Sequence, residues 1–344
     1  MIQLLLAMKE LRRIINRFSK ARILVIGDLI LDEYIWGDVD RISPEAPVPV
    51  LWAKKRTFLP GGAANVANNI RSLGAEVLLS GIIGRDDYGR ILLSELKKRR
   101  TRSEGIFRQS QRPTTLKTRI IAGHQQVVRM DWEHRDALPR ELNARIIRYV
   151  RKEIVHFDAV IVEDYGKGVV NAQLIKEVIA LAKRSKKIVV VDPKEEHFGY
   201  YRKATCITPN RRELENAVRN LKIKDTANKF RVSSDALRSD KDINFAARQI
   251  LKYLNLESLL VTMGEDGMRL FERGGKITKI STVAQEVFDV SGAGDTVVAT
   301  FSLALACGAS KVQAAHIANF AAGIVVSKIG TAVIEKKELL EMVK

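Results

Sequence analysis

Short apolar runs rich in Val, Ile and Leu recur along the chain and alternate with stretches of helical periodicity. The runs cover Arg22–Ile26, Val77–Ile83, Ala159–Val162, Ile188–Val191 and Leu259–Thr262. Strands that are buried on both faces read as continuous apolar runs, and helices between such strands form the crossovers of a parallel sheet. The alternation therefore predicts an α/β protein whose mostly parallel central sheet is covered by helices on both sides.

Polar residues follow directly after these runs. Asp28 comes after the first predicted strand, Glu163 and Asp164 come after the third, and Asp192 comes after the fourth. In open parallel sheets, ligands bind beyond the carboxyl ends of the strands. We therefore expect the functional site at this edge of the sheet.

A second set of strand-like segments interrupts the alternation, because predicted helices do not separate these segments at regular intervals. The segments are Tyr34–Trp36, Val48–Trp52, Thr114–Ile121 and Gln126–Trp132. We interpret them as a small β-sheet that is inserted into the α/β body as a lid. The lid would be formed by segments near 34–58 and 113–132.

Residues 1–20 precede the first predicted strand. Their pattern of apolar residues predicts an amphipathic helix that extends a single domain at 21–344. The helix either packs on the domain or a partner, or lies on a membrane surface as basic amphipathic helices do. The charged segment Arg219–Ile243 predicts a surface helix with loops. The apolar residues at helical spacing in the extension are Leu4, Leu5, Met8, Leu11, Ile14, Ile15 and Phe18.

The chain has 344 residues and a formal charge of +18, from 58 Lys and Arg against 40 Asp and Glu. Basic patches bind nucleic acids, but this charge is spread along the sequence, with local concentrations at Lys97–Arg102 and Arg145–Lys152. No segment reaches the roughly 18 apolar residues of a membrane span. Cys206 and Cys307 give no disulfide framework, so we expect a reduced, cytoplasmic protein.

The sequence Asp289-Val-Ser-Gly-Ala-Gly-Asp295-Thr precedes a helical run over Val297–Ala306. A Gly-x-Gly turn that opens a helix presents unpaired backbone N–H groups and the positive end of the helix dipole, which together suit a phosphate. A carboxylate beside such an anion site, as at Asp295, suits the base that deprotonates an attacking hydroxyl. An ordinary turn with an acidic helix start gives the same local pattern.

A second glycine turn, Pro60-Gly-Gly-Ala-Ala-Asn65, lies at the start of a predicted helix over Ala63–Leu73. Its glycines permit close backbone approach, and Asn65 offers both a donor and an acceptor. Asp28 and Asp32 add carboxylates that either bind sugar hydroxyls or cap turns. The chain has no P-loop motif, no Gly-x-Gly-x-x-Gly after its first strand and no protein-kinase signature, which argues against those nucleotide-binding classes.

Taken together, these motifs resemble those of the ribokinase-like (PfkB) carbohydrate kinases over about residues 20–344. The resemblance implies a ribokinase-like three-layer α/β fold with an inserted β-sheet lid, ATP and Mg²⁺ as cofactors, and a sugar as phosphoryl acceptor. Besides the two glycine turns, the family's intermediate signatures follow in order at Asp164-Tyr165-x-Lys167-Gly168, Asp192-Pro193-Lys194, Thr208-Pro209-Asn210-x-x-Glu213, Gly264-x-x-Gly267 and Asn319-x-Ala-Ala-Gly323.

Within that family the chain is most similar to kinases that phosphorylate the anomeric O1 of heptose 7-phosphate, in the synthesis of ADP-heptose for the lipopolysaccharide core. The run Arg41-Ile-Ser-Pro-Glu-Ala-Pro-Val-Pro-Val50 discriminates best, since generic ribokinases lack it. The chain lacks the His-x-Gly-His motif of the nucleotidyltransferase domain in bifunctional relatives, so we expect a stand-alone kinase. Alternatives are a ribokinase- or fructokinase-like sugar or nucleoside kinase, a basic nucleic-acid-binding protein, and a non-catalytic sugar sensor.

The resemblance also implies roles for single residues, with Asp295 as the catalytic base and Asn210 and Glu213 as Mg²⁺ ligands through water. The backbone groups expected to stabilise the transferred phosphoryl group are those of Gly292, Ala293 and Gly294. The residues expected to bind ATP are Lys194, Asn210, Arg211, Arg212, Glu213, Thr262, Gly264, Gly267 and Asn319. The residues expected to bind the sugar phosphate are Asp28, Asp32, Gly61, Gly62, Asn65, Lys117, Arg119, Arg129 and Asp164.

Two groups of cations in this assignment have a second interpretation. Arg211 and Arg212 either touch nucleotide phosphates or are solvated surface residues. Lys117, Arg119 and Arg129 either bind the 7-phosphate, which needs more than one cation, or are charges on the lid surface. Lids of this family pair between subunits, so the resemblance also implies a homodimer formed through the β-lid.

Overall fold

A computed structural model describes residues 2–123, 125–227, 229–232, 236–284, 286–328 and 330–343, with the backbone alone for residues 2–5. In chain order the strands are β1 (Arg22–Gly27), β2 (Leu29–Ile42), β3 (Pro49–Gly62), β4 (Glu76–Gly84), β5 (Arg102–Gln109), β6 (Thr115–Ala122), β7 (Gln125–Trp132), β8 (Ala159–Glu163), β9 (Ile188–Asp192), β10 (Cys206–Ile207), β11 (Ser258–Thr262), β12 (Met268–Glu272) and β13 (Ile277–Ile280). The helices are α1 (Ile2–Asn16), α2 (Ala63–Ser72), α3 (Asp87–Lys98), α4 (Arg140–Glu153), α5 (Ala172–Arg184), α6 (Arg211–Lys224), α7 (Asp240–Tyr253), α8 (Ala293–Ala306), α9 (Lys311–Val325) and α10 (Lys336–Met342).

Within the described ranges, nine strands form one sheet in the order β13-β12-β11-β10-β9-β8-β1-β4-β5. The pairs from β11 to β5 are parallel, whereas β12 pairs antiparallel with both of its neighbours. The mostly parallel sheet is therefore confirmed. At its centre Gly27, Glu163 and Asp192 stand side by side at the carboxyl ends of β1, β8 and β9, which brings the polar residues that follow these strands to one edge.

The large sheet is the middle of three layers. In β1, Ile23 and Val25 pack into one buried cluster that includes residues of α2, α8 and α9. Leu24 and Ile26 point the other way, into a second cluster with residues of α4, α5, α6 and α7. Because successive side chains of a strand point to opposite faces, this double burial accounts for the unbroken apolar run in the sequence.

A second sheet, of four strands in the order β3-β2-β6-β7, forms the lid. The strands β2 and β6 are parallel, and the two outer pairs are antiparallel. The lid strands are longer than the sequence predicted, since β2 starts at Leu29 and β3 ends at Gly62. Their inner ends are buried on both faces, so no alternation of polar and apolar residues marks them as strands.

The N-terminal helix α1 packs on the α/β body. Leu11, Ile14, Ile15 and Phe18 are buried in the same cluster as α8 and α9, which favours the packed helix over the membrane-surface helix. The side chains of Leu4 and Leu5 lie outside the described part. None of the described helices combines the length and apolar character that crossing a bilayer requires.

The segment Arg219–Ile243 differs from the predicted surface helix with loops. Helix α6 extends into it as far as Lys224, α7 begins at Asp240, and positions 228 and 233–235 lie outside the described residues. Between the helices Phe230, Val232 and Leu237 are buried in the core. Single apolar residues among many charges give no periodicity, so the sequence pattern did not reveal this anchoring.

Candidate active site

The turn before α8 is fixed by Asp289. Its carboxylate accepts hydrogen bonds from the N–H groups of Ser291 (2.8 Å) and Gly330 (3.0 Å). Gly292, the N-cap of α8, has φ +78°, a left-handed conformation that glycine adopts without a steric penalty. The Asp-x-Ser-Gly sequence therefore holds the chain so that α8 starts directly at the turn.

The start of α8 offers backbone donors to an anion. The N–H of Ala293 is engaged by the Val290 carbonyl (3.2 Å), so this predicted donor is already used in the turn. The N–H groups of Gly294 and Asp295 have no carbonyl partner among the described residues. Unpaired N–H groups and the helix dipole together make this end of α8 a fitting place for a phosphate.

Asp295 lies in the first turn of α8 and is 4% exposed. Its Oδ2 accepts from Asn65 Nδ2 at 2.6 Å, and its Oδ1 accepts from the Tyr165 hydroxyl at 2.9 Å. Burial raises the pKa of Asp295 to about 6, although both hydrogen bonds favour the charged form. A carboxyl with such a pKa accepts a proton near neutral pH and can pass it on.

Three carboxyl groups converge beside the start of α8, because Glu163, Asp192 and Asp295 each place one oxygen within 4.8 Å of the others. Glu163 is fully buried, and no N–H or hydroxyl group in the described part of the chain donates to its oxygens, whereas the Asp192 carboxyl is close enough to share a proton with it. Burial and the neighbouring Asp192 raise the pKa of Glu163 well above its usual range. Such a cluster needs a proton or a cation to offset its charge.

These residues fit Mg²⁺, which prefers hard carboxylate oxygens and keeps several waters. The orphaned oxygens of Glu163 are the observation that supports the fit. The predicted ligand Asn210 is placed differently, because its side-chain oxygen accepts from the Glu213 N–H at 2.9 Å and caps α6. Glu213 completes this capping box through one oxygen, and its charge acts on Asp192. The structure thus brings Glu163 and Asp192 to Asp295, while Asn210 and Glu213 are joined in the capping box and Glu213 acts on Asp192 through its charge.

An apolar cavity of about 680 Å³ opens beside the start of α8. Its walls include the predicted nucleotide residues Asn210, Thr262, Gly264, Gly267 and Asn319. Flat aromatic bases bind in such apolar clefts with a few polar groups. Apolar residues that the sequence reading did not single out complete the walls, namely Met268, Ala284, Val287, Val290, Val297, Ala322 and Val326.

Four predicted nucleotide residues do not line this cavity, namely Lys194, Arg211, Arg212 and Glu213. Lys194 pairs with Glu195 at 2.9 Å. Arg211 donates to the Leu237 carbonyl at 2.7 Å, and Arg212 lies with it on the outer side of α6. For the two arginines the structure thus favours the solvated surface role. They occupy the first turn of α6 and are exposed.

The lid presents Asp32, Lys117 and Arg119 on one face. Asp32 pairs in register with Lys117, and Arg119 lies two residues further along β6. Arg119 donates to Asp32 at 2.5 Å. The Lys117 ammonium stands 5.0 Å from the ring centre of Tyr165, the same tyrosine that donates to Asp295. Burial lowers the pKa of Lys117, as expected for a cation held in a closing site.

The two glycines at the end of β3 allow close packing around this face. A Cβ on Gly61 would stand 2.3 Å from Asp32 Oδ2, and a Cβ on Gly62 would stand 2.7 Å from the Asp28 carbonyl oxygen. Gly62 also has φ +55° and precedes α2. Side chains at either position would therefore push the lid away from Asn65 and the base.

Asp28 has a different place from the one predicted. It is 1% exposed, and its carboxylate accepts from the N–H groups of Tyr165 (2.9 Å), Lys167 (3.0 Å) and Val169 (3.1 Å). Three backbone donors leave little capacity for a sugar hydroxyl. Asp28 therefore holds the loop that carries Tyr165, and these backbone bonds compete with the predicted binding of a sugar hydroxyl.

Asp164 and Arg129 both have side-chain partners within the protein. Asp164 accepts from the Tyr201 hydroxyl at 2.7 Å and lies 2.8 Å from His197 Nδ1. Arg129 pairs in register with Arg119 on the neighbouring edge strand β7, and it forms a bidentate pair with Asp131, which stands opposite Lys117. Arg129 thus shares the lid face of Lys117 and Arg119, at an exposed position, whereas Asp164 holds Tyr201 and His197 beside the loop.

The sequence reading missed three side chains around the base. Glu163 and Asp192 follow predicted strands, and Tyr165 belongs to the Asp164-Tyr165-x-Lys167-Gly168 signature, but the sequence predicts no role for any of the three. Parallel strands in register bring the residues that follow them together, so their positions after β8 and β9 carried a usable signal. The direction in which each side chain points was not available from spacing alone.

Comparison with known proteins agrees with this geometry. Residues 20–337 match the pfkB family of carbohydrate kinases. The chain is 42% identical over 325 residues to the bifunctional protein HldE of Desulfatibacillum aliphaticivorans, covering 94% of this chain and 63% of that protein. It is 42% identical over 334 residues to the bifunctional protein HldE of Geobacter metallireducens, covering 96% and 65%. The chain thus spans less than two thirds of these relatives.

Solved structures share the fold at low sequence identity. Phosphofructokinase-2 from Escherichia coli in complex with potassium has a TM-score of 0.75 at 19% identity, with 94% of this chain and 98% of that chain covered. Arabidopsis thaliana ribokinase complexed with ribose and ATP has a TM-score of 0.70 at 19% identity, covering 94% and 99%. The ribokinase-like α/β fold is thereby confirmed. The chain belongs to the pfkB family of carbohydrate kinases.

Proposed function

We propose that the protein transfers the γ-phosphoryl group of ATP to the anomeric hydroxyl of D-glycero-D-manno-heptose 7-phosphate, as a step toward ADP-heptose and the lipopolysaccharide core. The observation that carries the proposal is the pair Lys117 and Arg119 on the lid face that holds Asp32. Two half-buried cations in one row suit a substrate that already bears a phosphate. The similarity to proteins named HldE and the Arg41–Val50 run support the heptose.

In the proposed reaction Asp295 accepts the proton of the anomeric hydroxyl as its oxygen attacks the γ-phosphorus. The bond between that phosphorus and the β,γ-bridging oxygen breaks, and ADP leaves with the electron pair. Asn65 and Tyr165 orient the carboxylate through its two oxygens. The unpaired N–H groups at the start of α8 face developing negative charge, which is where electrostatic stabilisation of phosphoryl transfer acts.

Glu163 and Asp192 would hold Mg²⁺, with Glu213 contributing through water. The ion supplies charge neutralisation and positioning for the phosphates of ATP. The chain's own residues account for the remaining steps. Asp32, oriented by Arg119, would accept a hydrogen bond from a sugar hydroxyl. The lid would exclude water, so that ATP is not hydrolysed.

We also propose that two subunits pair through their lids. The edge strand β7 is exposed along its whole length, and an exposed apolar edge is an association surface. The exposed apolar side chains of the lid are Val39, Ile42, Val48, Trp52, Val127, Val128, Met130 and Trp132. As a user of ATP whose described cysteines are both free, the protein would work in the cytoplasm.

A coupled assay of ADP release tests the substrate assignment. Heptose 7-phosphate is compared with ribose, fructose, fructose 6-phosphate and adenosine at equal concentration. We expect the highest kcat/KM for heptose 7-phosphate. Preference for ribose or fructose would overturn the heptose assignment and identify a ribokinase- or fructokinase-like enzyme, while leaving the family unchanged.

A further inference from the structure

A second cavity, the Arg71 cavity, lies between the C-terminal ends of α2 and α3 and the segment 331–333. Its volume is about 740 Å³. It shares no lining residue with the nucleotide cavity. Basic side chains from the Lys97–Arg102 stretch, which the kinase site does not use, form part of its wall.

The charges of the cavity wall do not balance. Arg71, Lys98 and Arg99 face it together with a single carboxylate, Glu95. Lys98 and Arg99 donate to Glu95 at 2.6 Å and 2.5 Å. Burial acts to raise the pKa of Glu95, but these donors hold it below its usual value. Glu95 is therefore ionised, and two positive charges remain uncompensated in the cavity wall.

Arg71 has a donor that the protein does not use. One terminal nitrogen donates to the Ala75 carbonyl at 2.7 Å. Its Nε is buried and has no acceptor among the described residues. A buried donor without a partner is costly. The other terminal nitrogen of Arg71 makes no hydrogen bond within the described residues and is not buried, so it is the donor that an anion in the cavity can reach.

We propose that the Arg71 cavity binds a small molecule that carries a phosphate dianion. Its charge of about −2 near pH 7 matches the excess of two cations. Guanidinium groups bind phosphate oxygens with directional hydrogen bonds. Asn68 and Ser72 line the same cavity and offer further donors to the phosphate or to hydroxyls beside it.

The cavity is connected to the active site through Thr331, which lines it. The Thr331 N–H donates to the Tyr34 hydroxyl of the lid at 3.3 Å. Its Cγ2 would stand 3.5 Å from a Cβ on Gly292 at the start of α8. An anion that contacts the 331–333 segment therefore acts on both the lid and the turn before α8. The bound phosphate is thus expected to change the affinity for the sugar.

Calorimetric titration with inorganic phosphate tests the site on protein loaded with Mg²⁺ and a non-hydrolysable ATP analogue, which occupies the nucleotide cavity. We expect Arg71→Gln and Lys98→Gln each to weaken phosphate binding by about tenfold, as loss of a charged hydrogen bond predicts. Lys97→Gln is the matched control on the same helix, outside the cavity wall, and should bind like the wild type. Equal affinity in all four proteins would overturn the proposal.

Lys98 is exposed, so its variant keeps the test valid if Arg71→Gln does not fold. Fructose 1,6-bisphosphate replaces phosphate in a second titration. Tighter, Lys98-dependent binding identifies an organic phosphate as the ligand, and equal affinity identifies free phosphate. The titrations need no sugar acceptor, so their outcome is independent of the proposed heptose reaction. In ADP-release assays, phosphate should change the sugar KM of the wild type but not of Lys98→Gln; no change in either protein would contradict the link through Thr331.

Discussion

The Asn65 side-chain amide donates a hydrogen bond to the Asp295 carboxylate across 2.6 Å, so the N-terminal glycine turn and the C-terminal one meet at the proposed catalytic base. A buried ladder supports this bond. Asn69, one turn later on α2, donates to the Asn65 carbonyl oxygen at 3.1 Å and accepts from the Thr296 hydroxyl at 3.1 Å. These hydrogen bonds connect α2 to α8 and fix the orientation of the Asp295 carboxylate.

The activity of the wild type should fall on the acid side of a pKa of about 6. Burial raises the pKa of Asp295 to about 6, and only the ionised carboxylate accepts a proton. We therefore expect kcat/KM to decrease about tenfold per pH unit below that value. A pH profile of ADP release measures it. An acid limb centred near the ordinary aspartate value of 3.8 would contradict the burial of the base.

Asn65→Ala should move that acid limb to higher pH. The amide of Asn65 stabilises the charged form of Asp295, so its loss raises the pKa of the base. We also expect kcat near neutral pH to fall by about tenfold, the value of one charge-assisted hydrogen bond. Asn216→Ala, on helix α6 and outside the lining of the nucleotide cavity, is the control and should leave the limb in place. An unchanged limb in Asn65→Ala would show that the bond does not tune the base.

The α/β body, the lid and the positions of the two glycine turns were predictable from the sequence, because buried strands and Gly-rich turns leave local patterns. The directions of side chains at the sheet edge were not. Asp28 and Asp32 are four residues apart in similar sequence surroundings. The Asp28 carboxylate nevertheless accepts hydrogen bonds from three backbone N–H groups, whereas the Asp32 carboxylate accepts one from Arg119. That difference arises from the loop after β8, which is distant in sequence.

The same limit applies to the metal site. Asn210 and Glu213 have the residue types of a ligand pair, but their spacing is also that of a helix capping box, and the structure forms the box. Glu163 and Asp192 meet only because β8 and β9 are neighbours in register. The order of strands depends on the packing of the whole sheet, so no local sequence pattern predicts that Glu163 and Asp192 are neighbours.

Lys117→Ala and Arg119→Ala should weaken binding of the sugar phosphate and spare ATP. Each variant removes one cation from the lid face beside the base. We expect the KM for heptose 7-phosphate to rise by about tenfold or more, with the KM for ATP within about twofold, in steady-state ADP-release assays. Lys54→Ala, at an exposed lid lysine paired with Asp38, is the control. A normal sugar KM in both variants would place the phosphate site elsewhere.

Light scattering should give the mass of a dimer for the wild type. Val128 and Met130 are exposed on the edge strand β7, and an introduced charge there would be buried without a partner in a lid-to-lid contact. We therefore expect Val128→Glu to shift the mass toward the monomer, whereas Val155→Glu, at an exposed valine on the body, should leave it unchanged. A wild-type monomer at micromolar concentration would refute the pairing of lids.

Phosphorus NMR of the product tests the central claim most directly. Wild-type protein, MgATP and heptose 7-phosphate are incubated, and the new phosphorus resonance is examined for coupling to the anomeric proton. The account predicts a 1,7-bisphosphate with that coupling, and its loss in Asp295→Asn by about 10³-fold in rate with binding of ATP retained. A product phosphorylated at another position, or one formed by Asp295→Asn at the wild-type rate, would contradict it.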